Sequence, residues 1–168
     1  MRAMDNDRQI RTRDYTTMKR KNIIMAAVLG MAICAMPVQA FDKYSINRED
    51  LPETAQQFLT DHFDKARVSM VKTDKHLLKK TDYDVKLVNG TKIDFNNKGE
   101  WTCVDCKQKE VPASLIPSKV AKYVAANFPE TFVTKIEKKT LSYEIELNDG
   151  VGLKFDRLGN FKSMKLDD

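Results

Sequence analysis

The segment YDVKLVNGTKIDFNNKGEW, Tyr83 to Trp101, restricts the fold more than any other part of the chain, because it occurs twice. Sixty residues later the chain reads YEIELNDGVGLKFDRLGNF, Tyr143 to Phe161. In the first copy Tyr83, Val85 and Leu87 alternate with Asp84 and Lys86, the period that buries one face of a strand. Asn89-Gly90 forms a two-residue hairpin turn, since both positions tolerate positive φ. Ile93 and Phe95 resume the buried face, Gly99 turns the chain again, and Trp101 opens a further strand. The second copy keeps every one of these positions, as Tyr143, Ile145, Leu147, Gly150, Leu153, Phe155, Gly159 and Phe161.

The copy extends upstream. LPETAQQFLTDHF, from Leu51, aligns with IPSKVAKYVAANF, from Ile116, at an offset of 65. Ala55, Phe58, Leu59 and Phe63 fall at helical spacing, with Asp50 predicted as N-cap and Pro52 in the first turn. Ala66–Thr73 is predicted as a bulged strand, because Val68, Met70 and Val71 break strict alternation; Val133 and Ile136 answer Val68 and Val71. Phe41 to Asp50 is polar and predicts no element. The fold class is therefore α+β: two tandem α-β-β-β-β repeats, about 48–110 and about 111–168, form an antiparallel sheet with both helices packed on one face. Five repeat-matched pairs hold ten of the thirteen aromatics after residue 40, which marks them as core.

Ahead of this domain, residues 1–40 read as an N-terminal extension followed by a secretory signal peptide at 19–40. Lys19, Arg20 and Lys21 form a basic region, an apolar stretch runs from Ile23 to about Met36, and Val38-Gln39-Ala40 predicts cleavage after Ala40. That stretch is shorter than the ~18–20 residues that cross a bilayer, so no span is expected in the mature chain, 41–168. Translation from Met18 instead of Met1 would give a signal peptide of ordinary form. The net charge of +5 belongs mostly to the leader: residues 41–168 carry 22 basic and 21 acidic side chains. A domain so near neutrality lacks the electrostatic footprint of a nucleic-acid binder.

Chemistry-bearing motifs are few. Cys103 and Cys106 form a C-x-x-C pair at the exit from the first repeat, and export to an oxidising compartment favours a local disulfide over two idle thiols. Redox activity is the less favoured reading, because the pair follows a strand and not a helix start. Asp94, Asn96, Gly99 and Asp105 loosely follow calcium-loop spacing, but Lys98 stands where an oxygen ligand is wanted. His62 and His76 have no nucleophile placed with them by any recognisable motif, and the lysines at 72, 75, 79 and 80 read as a solvated loop with Asp74 and Asp82. No cofactor, metal site or catalytic set is expected.

The series LPETAQQFLTDHF, YDVKLVNGTKIDFNNKGEW and YVAANFP resembles the secreted PepSY-like, beta-lactamase-inhibitor-like family over Leu51 to Asp168. The resemblance implies a periplasmic or secreted protein built like the beta-lactamase inhibitor, and the family pattern carries no catalytic residues. In that inhibitor the sheet surface holds the partner enzyme. The equivalent face here would present Asp84, Lys86, Lys92, Asp94, Glu100 and Thr102 from the first repeat, and Glu144, Glu146, Lys154, Asp156, Asn160 and Lys162 from the second. Binding hot spots are usually Trp, Tyr or Arg, so beta-lactamase inhibition itself is not expected of this charged face. The expectation is a non-enzymatic binding module for a protein or peptide of the cell envelope. A redox protein using Cys103 and Cys106, and a regulator of an exported peptidase, are the alternatives.

Overall fold

The alternating segments become the strands of a single sheet in which chain order and spatial order coincide. The computed structural model describes residues 42–74 and 81–166. Among the described residues the elements are β1 (Lys43–Ser45), α1 (Glu53–Phe63), β2 (Val68–Asp74), β3 (Asp82–Leu87), β4 (Lys92–Phe95) and β5 (Trp101–Asp105). They are followed by α2 (Ser118–Asn127), β6 (Val133–Lys138), β7 (Ser142–Leu147), β8 (Val151–Asp156) and β9 (Phe161–Leu166). A short 3-10 turn precedes each helix, at Arg48–Asp50 and Ala113–Leu115. Every neighbouring strand pair is antiparallel, in the order β1 to β9. The predicted signal peptide lies outside the described residues.

One apolar row holds the sheet together. Val71, Val85, Ile93, Val104, Ile136, Ile145 and Leu153 stand directly opposite one another from β2 to β8. Each is at most 3 % exposed. Cross-strand neighbours of this kind are in direct contact, so the row is a continuous line of packing. The helices cover it from one side. Ala55 and Leu59 of α1 and Val120 and Val124 of α2 are buried, and Phe58 and Tyr123 meet Phe95 and Phe155 edge-on at 5.5 and 5.4 Å. The helix–strand–strand–strand–strand order thus occurs twice, and the halves meet at the β5–β6 ladder, where Val104 opposes Ile136.

The register breaks in matching places. Shifts fall between Val68 and Met70 in β2 and between Val133 and Lys135 in β6. Two more separate Asp94 from Phe95 and Lys154 from Phe155. The bulge predicted in Ala66–Thr73 is therefore present, in a strand that begins at Val68.

Two expectations are corrected. Asp50 is not the cap of α1: it ends the preceding 3-10 turn, the chain runs extended through Leu51, and the Pro52 carbonyl accepts from Ala55 and Gln56 N–H at 2.9 and 3.1 Å. The predicted structureless lead-in contributes β1, whose Tyr44 pairs with Lys72 on the outer edge of β2. Three residues are too few to give a readable period.

Gly99 has φ +78°, and a Cβ there would lie 2.9 Å from both Ala55 N and Pro52 Cβ, whereas Gly90 at φ +90° has open space around it. Gly99→Ala should cost about 2–4 kcal/mol in urea denaturation, from backbone strain plus the clash with α1, against about 1 kcal/mol for Gly90→Ala.

Candidate binding face

Period-2 alternation around the buried row forces its neighbours onto the opposite, helix-free face. Following the register across the sheet gives two ordered rows there. The first runs Lys72, Asp84, Asp94, Cys103, Glu137, Glu144, Lys154 and Ser163. The second, one step along every strand, runs Met70, Lys86, Lys92, Asp105, Lys135, Glu146, Gly152 and Lys165. The first row is acidic at its centre and the second is rich in lysine.

Seven of the sequence-predicted face residues fall into these rows. Asp84, Asp94, Glu144 and Lys154 share the first, and Lys86, Lys92 and Glu146 share the second. Glu100, Thr102, Asp156, Asn160 and Lys162 stand apart. Glu100 lies in the β4–β5 turn and accepts from Asn96 Nδ2 at 2.8 Å. Lys162 occupies the irregular start of β9 and pairs with Asp156 at 3.7 Å. Sequence reading missed Met70, Lys72, Cys103, Asp105, Lys135, Glu137, Gly152, Ser163 and Lys165 as members of the face. Lys135 and Glu137 flank the inward Ile136, a readable signal that the adjacent bulge obscures.

Electrostatics divides the rows into unlike halves. Asp84 and Asp94 oppose each other across β3 and β4. Neither has an ion pair among the described residues, and partial burial raises both carboxyl pKa values, helped by Asp74 at Asp84 and by Asp84 and Glu137 at Asp94. In the second half, Glu144 also faces a carboxylate, Glu137, but is relieved. Lys139 and Lys154 donate to Glu144 at 2.6 and 3.0 Å, and these hydrogen bonds hold the Glu144 pKa below the usual range.

The disulfide reading is corrected. Cys103 and Cys106 are both free thiols. Residues three apart along an extended chain are ~10 Å apart and point to opposite faces, beyond the ~7 Å a disulfide spans. Cys103 sits on the outer face between Asp94 and Glu137, while Cys106 is buried, its N–H donating to Thr134 O at 2.9 Å. Burial first, then the Asp94 charge, pushes the Cys103 thiol up to about 12, and burial also raises Cys106. Both environments disfavour the thiolate that redox exchange requires.

The other motifs do not assemble into sites. Asn96 Oδ1 accepts from the Lys98 and Glu100 N–H groups at 2.9 and 3.1 Å, which commits the central oxygen of the calcium-like spacing to its turn. Among the described residues no three His, Cys, Asp or Glu side chains form a metal-binding group. His62 Nδ1 lies 3.2 Å from Ser114 Oγ and its ring packs on Phe58 at 4.7 Å. His76 and the lysines at 75, 79 and 80 lie outside the described residues. No helix among those described is long and apolar enough to cross a membrane.

A single antiparallel sheet with two helices on one side and a charged open face defines an α+β protein of beta-lactamase-inhibitor-like architecture. Residues 81–163 match the family described as "Putative beta-lactamase-inhibitor-like, PepSY-like". The chain belongs to this PepSY-like family. Its fold is similar to that of a Bacteroides vulgatus protein provisionally described as periplasmic and of unknown function, with 37 % identity and TM-score 0.71, covering 74 % of this chain and 99 % of that one. A second protein from the same organism, also provisionally described as periplasmic, gives 38 % identity and TM-score 0.70, with 76 % and 98 % covered. A Bacteroides thetaiotaomicron protein provisionally described as calcium-regulated and periplasmic gives 38 % identity and TM-score 0.70, with 74 % and 96 % covered. No curated protein sequence matches the chain.

Two outcomes follow from the face. Protein comprising residues 41–168 should contain two free thiols by mass spectrometry, with Cys106 alkylated at pH 8 only after denaturation and Cys103 reacting slowly. The raised values at Asp84 and Asp94 mean that their contribution to stability is full below the ordinary Asp pKa and is lost as pH rises through the raised values. Asp94→Asn, which imitates the protonated form, should therefore stabilise the protein at pH 7 by up to ~1 kcal/mol and by nothing measurable at pH 3.

Proposed function

We propose that this protein is a non-enzymatic binding module of the cell envelope, built from two copies of one helix-and-four-strand unit, which presents its open sheet face to a protein or peptide partner. The observation that carries this reading is the Asp84–Asp94 pair. Like charges directly opposite on neighbouring strands destabilise a sheet, and here they persist beside a row of lysines on a face that no part of the described chain covers. Function retains such a cost more readily than solubility does, because scattered charges would keep the protein soluble without opposing carboxylates. The predicted signal peptide at 19–40 and the periplasmic description of the similar structures support a periplasmic or secreted location. The calcium regulation named for the Bacteroides thetaiotaomicron protein is not carried over, since the acidic residues of the first row are strung across the strands.

The test is site-directed photocrosslinking in cells. A crosslinking residue at Lys86 or Lys92 should give a discrete adduct that Asp84→Asn with Asp94→Asn diminishes, while one at Lys122 on the exposed side of α2 should give none. Equal labelling from both faces, or no adduct from the sheet, would overturn the reading.

A further inference from the structure

Gly152 is the one position in the two outward rows without a side chain, and nothing in the fold requires a glycine there. Among the described residues positive φ occurs at Gly90, Gly99, Gly150, Gly159 and Lys107, not at Gly152. A Cβ on Gly152 would meet its nearest neighbours, Lys165 O and Lys165 Cβ, at 3.6 and 3.8 Å, which is ordinary contact. Glycine inside a strand weakens it and often marks close approach by another group. The matching position in the first half, Lys92, carries a long side chain. What the missing side chain leaves is a groove of about 150 Å³, with the backbone of β7 and β8 as its floor and Glu146, Lys165, Lys154, Lys135 and Ser163 among its walls.

Size and charge narrow the occupant. Small-molecule sites usually run to ~300–1,000 Å³, whereas a cavity of ~150 Å³ takes one benzene-sized group. Glu137, Glu144 and Glu146 line the groove together with Lys135, Lys154 and Lys165, so neither a bare anion nor a bare cation is favoured. A neutral ring suits both sets. Aromatic side chains pack over glycine in neighbouring strands, yet the residues directly opposite Gly152 are Glu146 and Lys165. Lys135 and Lys165 have no ion pair among the described residues, and their ammonium groups can approach a ring face.

We propose that the groove over Gly152 is an anchor pocket for one aromatic side chain of the docking polypeptide. The ring lies on the Gly152 backbone between the stems of Lys135 and Lys165. A tyrosine hydroxyl or an indole N–H can donate to Glu146 or Ser163 at the rim. This assignment rests on the reading of the sheet face as a binding surface, and it adds the side-chain class that the face selects.

The test is an NMR titration of ¹⁵N-labelled protein with N-acetyl-tyrosinamide, using N-acetyl-leucinamide and N-acetyl-lysinamide as comparators. The aromatic amide should give saturable shifts at Gly152, Leu153, Glu146 and Lys165, and the comparators should give none. Gly152→Ala should keep or raise the melting temperature and weaken the probe at least ~10-fold, because a methyl group fills the floor of the groove. Absence of saturation, shifts of equal size in Gly152→Ala, or shifts centred on the helices would each overturn the pocket. If the probe fails while crosslinks from positions 86 and 92 persist, the pocket falls and the binding face stands. If those crosslinks are absent too, the face reading falls with it.

Discussion

The packed line from Val71 to Leu153 is the constraint on which the rest of the structure depends. A strand has only two faces, so fixing one buried residue per strand in a straight cross-sheet row fixes the register of every pair from β2 to β8. It also decides which residues go outward. The two charged rows are consequences of that packing, since a slip of one residue in any strand would exchange them with the core. The helices then select which side of the sheet is dry, through the edge-on contacts of Phe58 and Tyr123 with Phe95 and Phe155. Structure and candidate face are one set of choices.

The two halves use the same scaffold differently. In the first, opposed carboxylates stay without ion pairs and rise in pKa. In the second, Lys139 and Lys154 neutralise Glu144, and the side chain missing at Gly152 opens a groove. Residues that match between the halves are those that build strands, turns and core. Residues that differ are concentrated on the outer face, where the scaffold imposes no identity.

Much of this was legible in the sequence because its signals are local. Alternation from Tyr83 to Leu87, the Asn89-Gly90 turn and the spacing of Ala55, Phe58 and Leu59 each lie within a few residues. Seven of the twelve residues named for the face fall into the two rows for the same reason. What escaped depends on registers between strands. Whether Asp84 meets Asp94 or a lysine cannot be decided within one strand, and bulges at Val68/Met70 and Val133/Lys135 shift the phase that a strict period would carry forward. The cysteine pair misled for a related reason: C-x-x-C suits a turn or helix start, but Cys103 lies within β5 and Cys106 just past its end, so extended chain holds them apart. Gly152 was invisible as a feature because a lone glycine gains meaning only beside what stands opposite it.

The β5–β6 ladder has a consequence for how any partner must be shaped. Because Val104 and Ile136 are fully buried across that seam, the halves cannot shift against each other without breaking the central line of packing. The outer face is thus a ruled plate, not two hinged pads. Its graduations are fixed by backbone geometry at about 4.8 Å from strand to strand and roughly 7 Å from row to row. From Asp84 to Lys154 the scale covers five strand spacings, about 24 Å. Whatever lies on it must keep that pitch across its whole length.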